Sequence, residues 1–145
     1  MNQEPNAVSL SLYETDYTLW LERQAIALKK RDFKALDWDN LLEEIEYLGN
    51  EQIHAVNNLF KKIIIHRLKL DYSSETYSRH HWKCKINAFI DNIEDRLTNS
   101  LRNKIDLQKL YKRARRMVLE KYNFDLPQDC PYSLDQLITY LDVNN

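Results

Sequence analysis

The stretch 37–72, "DWDNLLEEIEYLGNEQIHAVNNLFKKIIIHRLKLDY", decides the fold. It contains no proline, and Leu41, Ile45, Leu48, Gln52, Val56, Leu59, Ile63, His66 and Leu70 recur at spacings of three and four. That period is the row one face of an α-helix lays against a core. The spacing predicts one helix of about thirty residues or more, starting from Asp37 as N-cap, with Leu41, Ile45, Val56, Leu59 and Ile63 buried. Gly49, the chain's one glycine, falls inside it. A mid-helix glycine costs about 1 kcal/mol against alanine, so a close neighbour, a bend or a break is expected there.

The same period continues outward. The first ten residues are polar and are expected to be flexible, and residues 11–145 are expected to form a single domain. Ser11, Thr15 and Asp16 are alternative caps for a first helix to about Lys30, with Tyr17, Trp20, Leu21, Ile26 and Leu28 as its apolar contacts. Phe33 and Leu36 in the following connector are expected to tuck inward. Trp82, Ile86, Phe89, Ile90, Ile93 and Leu97 mark a third helix, and "TNS" at 98–100 offers the cap of a fourth. That fourth helix has Leu107, Leu110, Tyr111, Ala114 and Val118 on one face and Lys109, Lys112, Arg113 and Arg116 on the other. "LPQDCPY" reads as an extended connector, and Ser133 with Gln136 forms a capping box for a short last helix. Pro131, Tyr132 and Leu134 are expected to dock this tail. The fold class is all-α: a helical bundle of four main helices plus a short C-terminal helix.

Composition agrees. One glycine and three prolines in 145 residues leave too few turn residues for an all-β fold. The longest unbroken aliphatic run is "III" at 63–65, far short of the roughly 20 residues that span a bilayer, so no membrane partner is expected. The start lacks a basic and apolar leader, and Cys84 and Cys130 lie far apart in unlike contexts, so a cytoplasmic protein with two reduced thiols is expected. Net charge is −1 but segregated: residues 1–60 hold five Lys/Arg against eleven Asp/Glu, residues 61–121 sixteen against seven, and the rest four acids and no base. A basic middle suits a nucleic acid, or acidic and basic helices facing each other.

Three groups of side chains are candidates for chemistry. "EEIEYLGNEQIH" at 43–54 contains Glu51-x-x-His54, a spacing used by di-iron bundles, but those need a second such pair and the chain has none. On a helical wheel Glu43, Glu46 and His54 lie away from the apolar row, so a solvated acidic face without metal is expected. His66 sits on the margin of the apolar row and is expected to be largely buried and hydrogen-bonded. His66, His80 and His81 are candidate zinc ligands if they meet, although adjacent histidines on a helix diverge by about 100°. Lys109, Lys112, Arg113 and Arg116 are the nucleic-acid candidates, with Tyr111 and Tyr122 near enough to stack. A single glycine excludes phosphate-cradling loops, and no nucleophile signature is present, so no catalytic residue and no cofactor are assigned.

"LYETDYTLWL", "FKALDWDNLLEEIEYLGNEQ", "IIIHRLKLDY", "HHWKCKINAFI", "LTNSLRNKI" and "LPQDCPYSLDQLI", in that order, resemble the domain of unknown function 29 family. The resemblance spans about residues 10–141 and takes in Asp37, Trp38, Glu43, Glu44, Glu46, Gly49, His66, Trp82, Pro127, Cys130 and Pro131, with His54 outside it. It implies a small all-helical bacterial, largely cyanobacterial, protein and brings no activity, ligand or cofactor. The expected function is a non-catalytic protein interaction module, whose partner is another protein or a second copy of the chain. The alternatives are a metal-dependent hydrolase or nuclease using His66, His80 or His81, and a nucleic-acid binder through the basic face of the fourth helix, allowed but not favoured.

Overall fold

The computed structural model describes residues 11–144, so the expected flexible segment 1–10 lies outside the described residues. The fold is all-α, and no strand occurs among the described residues. In chain order the helices are α1 (Leu12–Thr15), α2 (Tyr17–Lys30), α3 (Trp38–Tyr72), α4 (Arg79–Glu94), α5 (Asn99–Asn103), α6 (Leu107–Leu119) and α7 (Leu134–Leu137), with a 3₁₀ turn at Phe33–Ala35. Four of them, α2, α3, α4 and α6, are long. α3 is the longest at 35 residues, as its apolar row predicts. The chain forms two compact units, Met1–Leu48 and Gly49–Asn145.

In the first unit, Asp16 rather than Ser11 caps α2, accepting from the Leu19 N–H. Arg31 takes φ 54°, which ends α2 in the left-handed conformation, and the Asp32 N–H reaches back to the Ala27 carbonyl. The unit is tied by polar groups around one indole. Trp20 Nε1 donates to Asp37 at 2.9 Å, Asn40 donates to the same carboxylate oxygen at 2.8 Å, and Gln24 accepts the Asp37 N–H at 2.8 Å. Tyr13 and Tyr17 both donate to Glu44, Tyr17 at 2.7 Å. Donors favour the ionised carboxylate, so Asn40 and Trp20 hold Asp37, and Tyr13 and Tyr17 hold Glu44, below their usual range. Asp37, Glu44 and Trp20 therefore fasten α2 to the start of α3.

The second unit carries the continuous core. Val56, Phe60, Ile63, Ile64, Leu68 and Leu70 of α3 pack with Trp82, Ile86, Ile90 and Ile93 of α4 and with Leu110, Tyr111, Ala114 and Val118 of α6. The buried row of α3 is thus turned relative to the expected one. Val56 and Ile63 are buried as predicted, but Leu59 and Leu41 are half-buried and Ile45 is exposed. In the run "LFKKIIIHRLKL" nearly every position is apolar or amphipathic, so the period leaves two adjacent rows open, and α4 and α6 select Phe60, Ile64 and Leu68. Thr98 does act as a cap, but of the separate five-residue α5, while Asp106 caps α6 by accepting from the Lys109 N–H at 3.1 Å.

The tail closes the core. Tyr111 and Arg115 donate to the Pro127 carbonyl, and Gln108 Oε1 accepts the Cys130 N–H at 2.9 Å. Tyr132 is buried and donates to Asp71 at 2.7 Å, with the Arg67 guanidinium over its ring. The Ser133–Gln136 capping box forms as the spacing predicts, and Leu137 is fully buried beyond it. Pro131, expected to dock, is exposed, because the anchors beside it are Cys130 and Tyr132.

Gly49 lies within α3 at the boundary of the two units, and nothing stands within 4 Å of where a Cβ would be. The expected close neighbour and break are both absent there. Gly49→Ala should therefore raise the unfolding free energy by about 0.5–1 kcal/mol, read as a higher urea midpoint with unchanged slope. A loss of stability would mean that the glycine serves a conformation other than this helix.

Candidate functional site

Unburied apolar side chains concentrate in one place. Of fifteen large hydrophobic residues left exposed among the described residues, ten lie between Tyr17 and Leu48. The expectation that Leu21, Ile26, Leu28 and Phe33 pack inward is not met: all four are exposed, and within α2 only Trp20, Gln24 and Ala27 are buried. The reason is geometric. α2 meets the start of α3 through Trp20, Gln24 and Tyr17, whose hydrogen bonds to Asp37 and Glu44 join the two helices largely through polar groups.

Five of these ten, Leu28, Phe33, Trp38, Leu42 and Ile45, line a cleft of about 380 Å³ together with buried Leu36 and half-buried Leu41. Its floor is one face of α3, Trp38, Leu41, Leu42 and Ile45, at i, i+3, i+4 and i+7. Leu28 from the last turn of α2 and Phe33 and Leu36 from the connector form its wall. Trp38 is 61% exposed, Leu42 57% and Ile45 65%, so this row of α3 meets nothing within the first unit that would dry it. Trp38 Nε1 is satisfied by the Phe33 carbonyl at 3.2 Å, which ties the indole to the connector that forms the wall. Asp39 and Glu46, both exposed, run along one margin of the row, and the unit as a whole holds ten Asp/Glu against five Lys/Arg. Periodicity marks this row as apolar but cannot say whether a neighbour covers it.

Glu43, Glu46 and His54 are exposed as predicted, and Glu51 is exposed beside them. His66 is half-buried rather than largely buried. Its Nδ1 bonds to the Lys62 carbonyl one turn back at 2.8 Å, its ring meets Phe89 edge-on at 5.4 Å, and burial lowers its pKa below 6.5. His80 and His81 are exposed at the start of α4, with His80 Nδ1 on the Val143 carbonyl at 3.1 Å and Nε2 near Cys84 Sγ. Among the described residues no group of three or more His, Cys, Asp or Glu converges to hold a metal ion. Cys84 and Cys130 are free, and burial pushes the Cys130 thiol up, away from the reactive thiolate.

The basic face of α6 divides. Lys109, Lys112, Arg113 and Arg116 are all exposed, but Lys109 and Arg113 turn toward a polar cleft of about 290 Å³ that Lys112 and Arg116 do not line. Across that cleft stand His54, Asn57, Asn58 and Lys61 of α3, and Lys104 and Asp106 complete it from the α5–α6 segment. Sequence reading missed Lys61 and Lys104 as members of this group. His54, Asn57 and Lys61 do share one helical face by spacing, but only the fold brings that face opposite α6.

No helix among the described residues is long and apolar enough to cross a membrane. No curated protein and no solved structure matches the chain. Over residues 12–141, which include the Trp20–Asp37–Glu44 fastening, the core and the docked tail, the sequence fits the model of the Domain of unknown function DUF29, and the chain belongs to that family.

Proposed function

We propose that the protein is a non-catalytic interaction module whose first unit receives an amphipathic helix of a partner protein. The observation that carries this reading is the exposed apolar row Trp38–Leu41–Leu42–Ile45 with its wall of Leu28 and Phe33. A contiguous apolar surface of this kind marks an interaction site in a folded protein, and a groove bordered by side chains at i, i+3, i+4 and i+7 suits a helix. Asp39 and Glu46 on its margin favour Lys and Arg at the edges of the guest.

A second copy of the chain fits less well. An isologous contact through this face would bring the acidic margin of Asp39 and Glu46 on one copy toward the same margin on the other. The one basic amphipathic helix the chain offers, α6, spends its apolar face, Leu110, Tyr111, Ala114 and Val118, in its own core. The exposed free thiol of Cys84 supports a reducing, cytoplasmic setting.

The test begins with affinity capture from native cell extract, with and without nuclease, followed by binding of the purified partner. Leu42→Glu with Ile45→Glu should weaken that binding at least about thirtyfold, since each anchor loses roughly 1–2 kcal/mol of burial and a carboxylate enters an apolar seat. Both positions are exposed in the free chain, so stability should stay within about 0.5 kcal/mol. Equal affinity of the variant, or a wild-type dimer that the double change dissociates, would overturn the reading.

A further inference from the structure

We propose that the polar cleft between α3 and the α5–α6 segment binds the phosphate group of a small phosphorylated, hydroxyl-bearing molecule. Lys61, Lys104, Lys109 and Arg113 line this cleft from three helical segments. Four cations around about 290 Å³ repel one another, and among the described residues none of them is held in an ion pair. The one carboxylate present, Asp106, is engaged at the start of α6, where it accepts the Lys109 N–H. A gathering of like charge without a counter-ion within the fold lowers its energy by taking an anion from outside.

The residue types choose the anion. Three ammonium groups act as point charges and one guanidinium as a two-toothed fork, and four cations match the higher charge and three free oxygens of a phosphate ester better than a singly charged carboxylate. Asn57, one turn before Lys61 on the same wall, has its Oδ1 buried without a hydrogen-bond partner among the described residues. An acceptor in that state calls for a donor, and a turn of the Asn57 amide toward the cleft would bring it to a ligand hydroxyl beside the phosphate. The cleft's volume fits a compact ester rather than a polymer. A nucleic-acid strand would be expected to use the whole basic face, yet Lys112 and Arg116 stand outside the cleft. The site lies within the second unit and is independent of the apolar row.

Calorimetric titration of the full chain with ribose 5-phosphate, inorganic phosphate and a short single-stranded RNA tests the proposal. Ribose 5-phosphate should bind saturably at one site, with affinity falling as salt is added, and inorganic phosphate should compete more weakly. Lys61→Gln with Arg113→Gln should reduce affinity at least about tenfold, as loss of charge-assisted bonds does, while Lys112→Gln with Arg116→Gln should leave it within about twofold. Circular dichroism checks folding, and Lys109→Gln, a fully surface change, serves where the first pair is destabilised. Absence of saturable binding by either phosphate would overturn the proposal. So would equal losses from the two pairs, or RNA binding tighter than the ester and dependent on Lys112 and Arg116.

Discussion

Replacing Phe60 by alanine should lower the unfolding free energy by about 3–5 kcal/mol, the largest effect expected of any single change in α3. The ring is wholly buried among residues of α4 and α6, so its loss removes apolar burial and leaves a cavity that three packed helices cannot readily fill. Ile45→Ala, fifteen residues earlier on the same helix, should cost under about 0.5 kcal/mol beyond propensity because Ile45 is 65% exposed. The two together separate a buried row from an exposed row on one helix. Urea unfolding monitored at Trp82, which is buried in the same core, reads both. Similar costs for Phe60→Ala and Ile45→Ala would mean that the apolar row of the first unit is a second core and not a surface.

Deleting residues 126–145 should remove the cooperative melt or lower its midpoint by more than about 10 °C. Leu126, Tyr132 and Leu137 are buried, and at roughly 1.5–3 kcal/mol each they approach the whole stability of an ordinary domain. The deletion also orphans groups that the tail satisfies. The Tyr111 hydroxyl loses the Pro127 carbonyl, and Asn87 loses both bonds to the Leu141 backbone, at 2.9 and 2.8 Å. A melt unchanged by the deletion would show that the helices of the second unit close on themselves and that the tail is an appendage.

Much of this architecture was legible because helices announce themselves by period. The 35-residue α3, the turns after it, the basic and apolar faces of α6 and the Ser133–Gln136 capping box all follow from spacing alone. What spacing could not deliver was the choice among neighbouring rows. In the apolar run 59–70 the rows containing Leu59 and Phe60 are both plausible, and only the positions of α4 and α6 make Phe60 and Ile64 the buried ones. The same limit hid the site. Trp38, Leu42 and Ile45 carry the pattern of a core face, and nothing in the chain's order of residues says that this face stays uncovered. The basic cleft was half visible, since Lys109 and Arg113 stand out on α6, whereas Lys61 and Lys104 join them through tertiary proximity.

Asp37 and Glu44 lie in an acid-rich part of the sequence, and in the fold both carboxylates accept hydrogen bonds from neutral donors. Their role is to join α2 to α3 without an apolar layer. The adjacent hydrophobic row, Trp38, Leu42 and Ile45, stays exposed beside them.

Docking of a partner on that row is tested most directly by a photoreactive residue placed at Leu42 in the chain expressed in its native cell. The account predicts a covalent product with one heterologous protein, attached within a helix that has apolar residues on one face and Lys or Arg at its edges. The same residue placed at Lys112 should give no such product. Cross-links only between copies of this chain, or the same products from both positions, would contradict it.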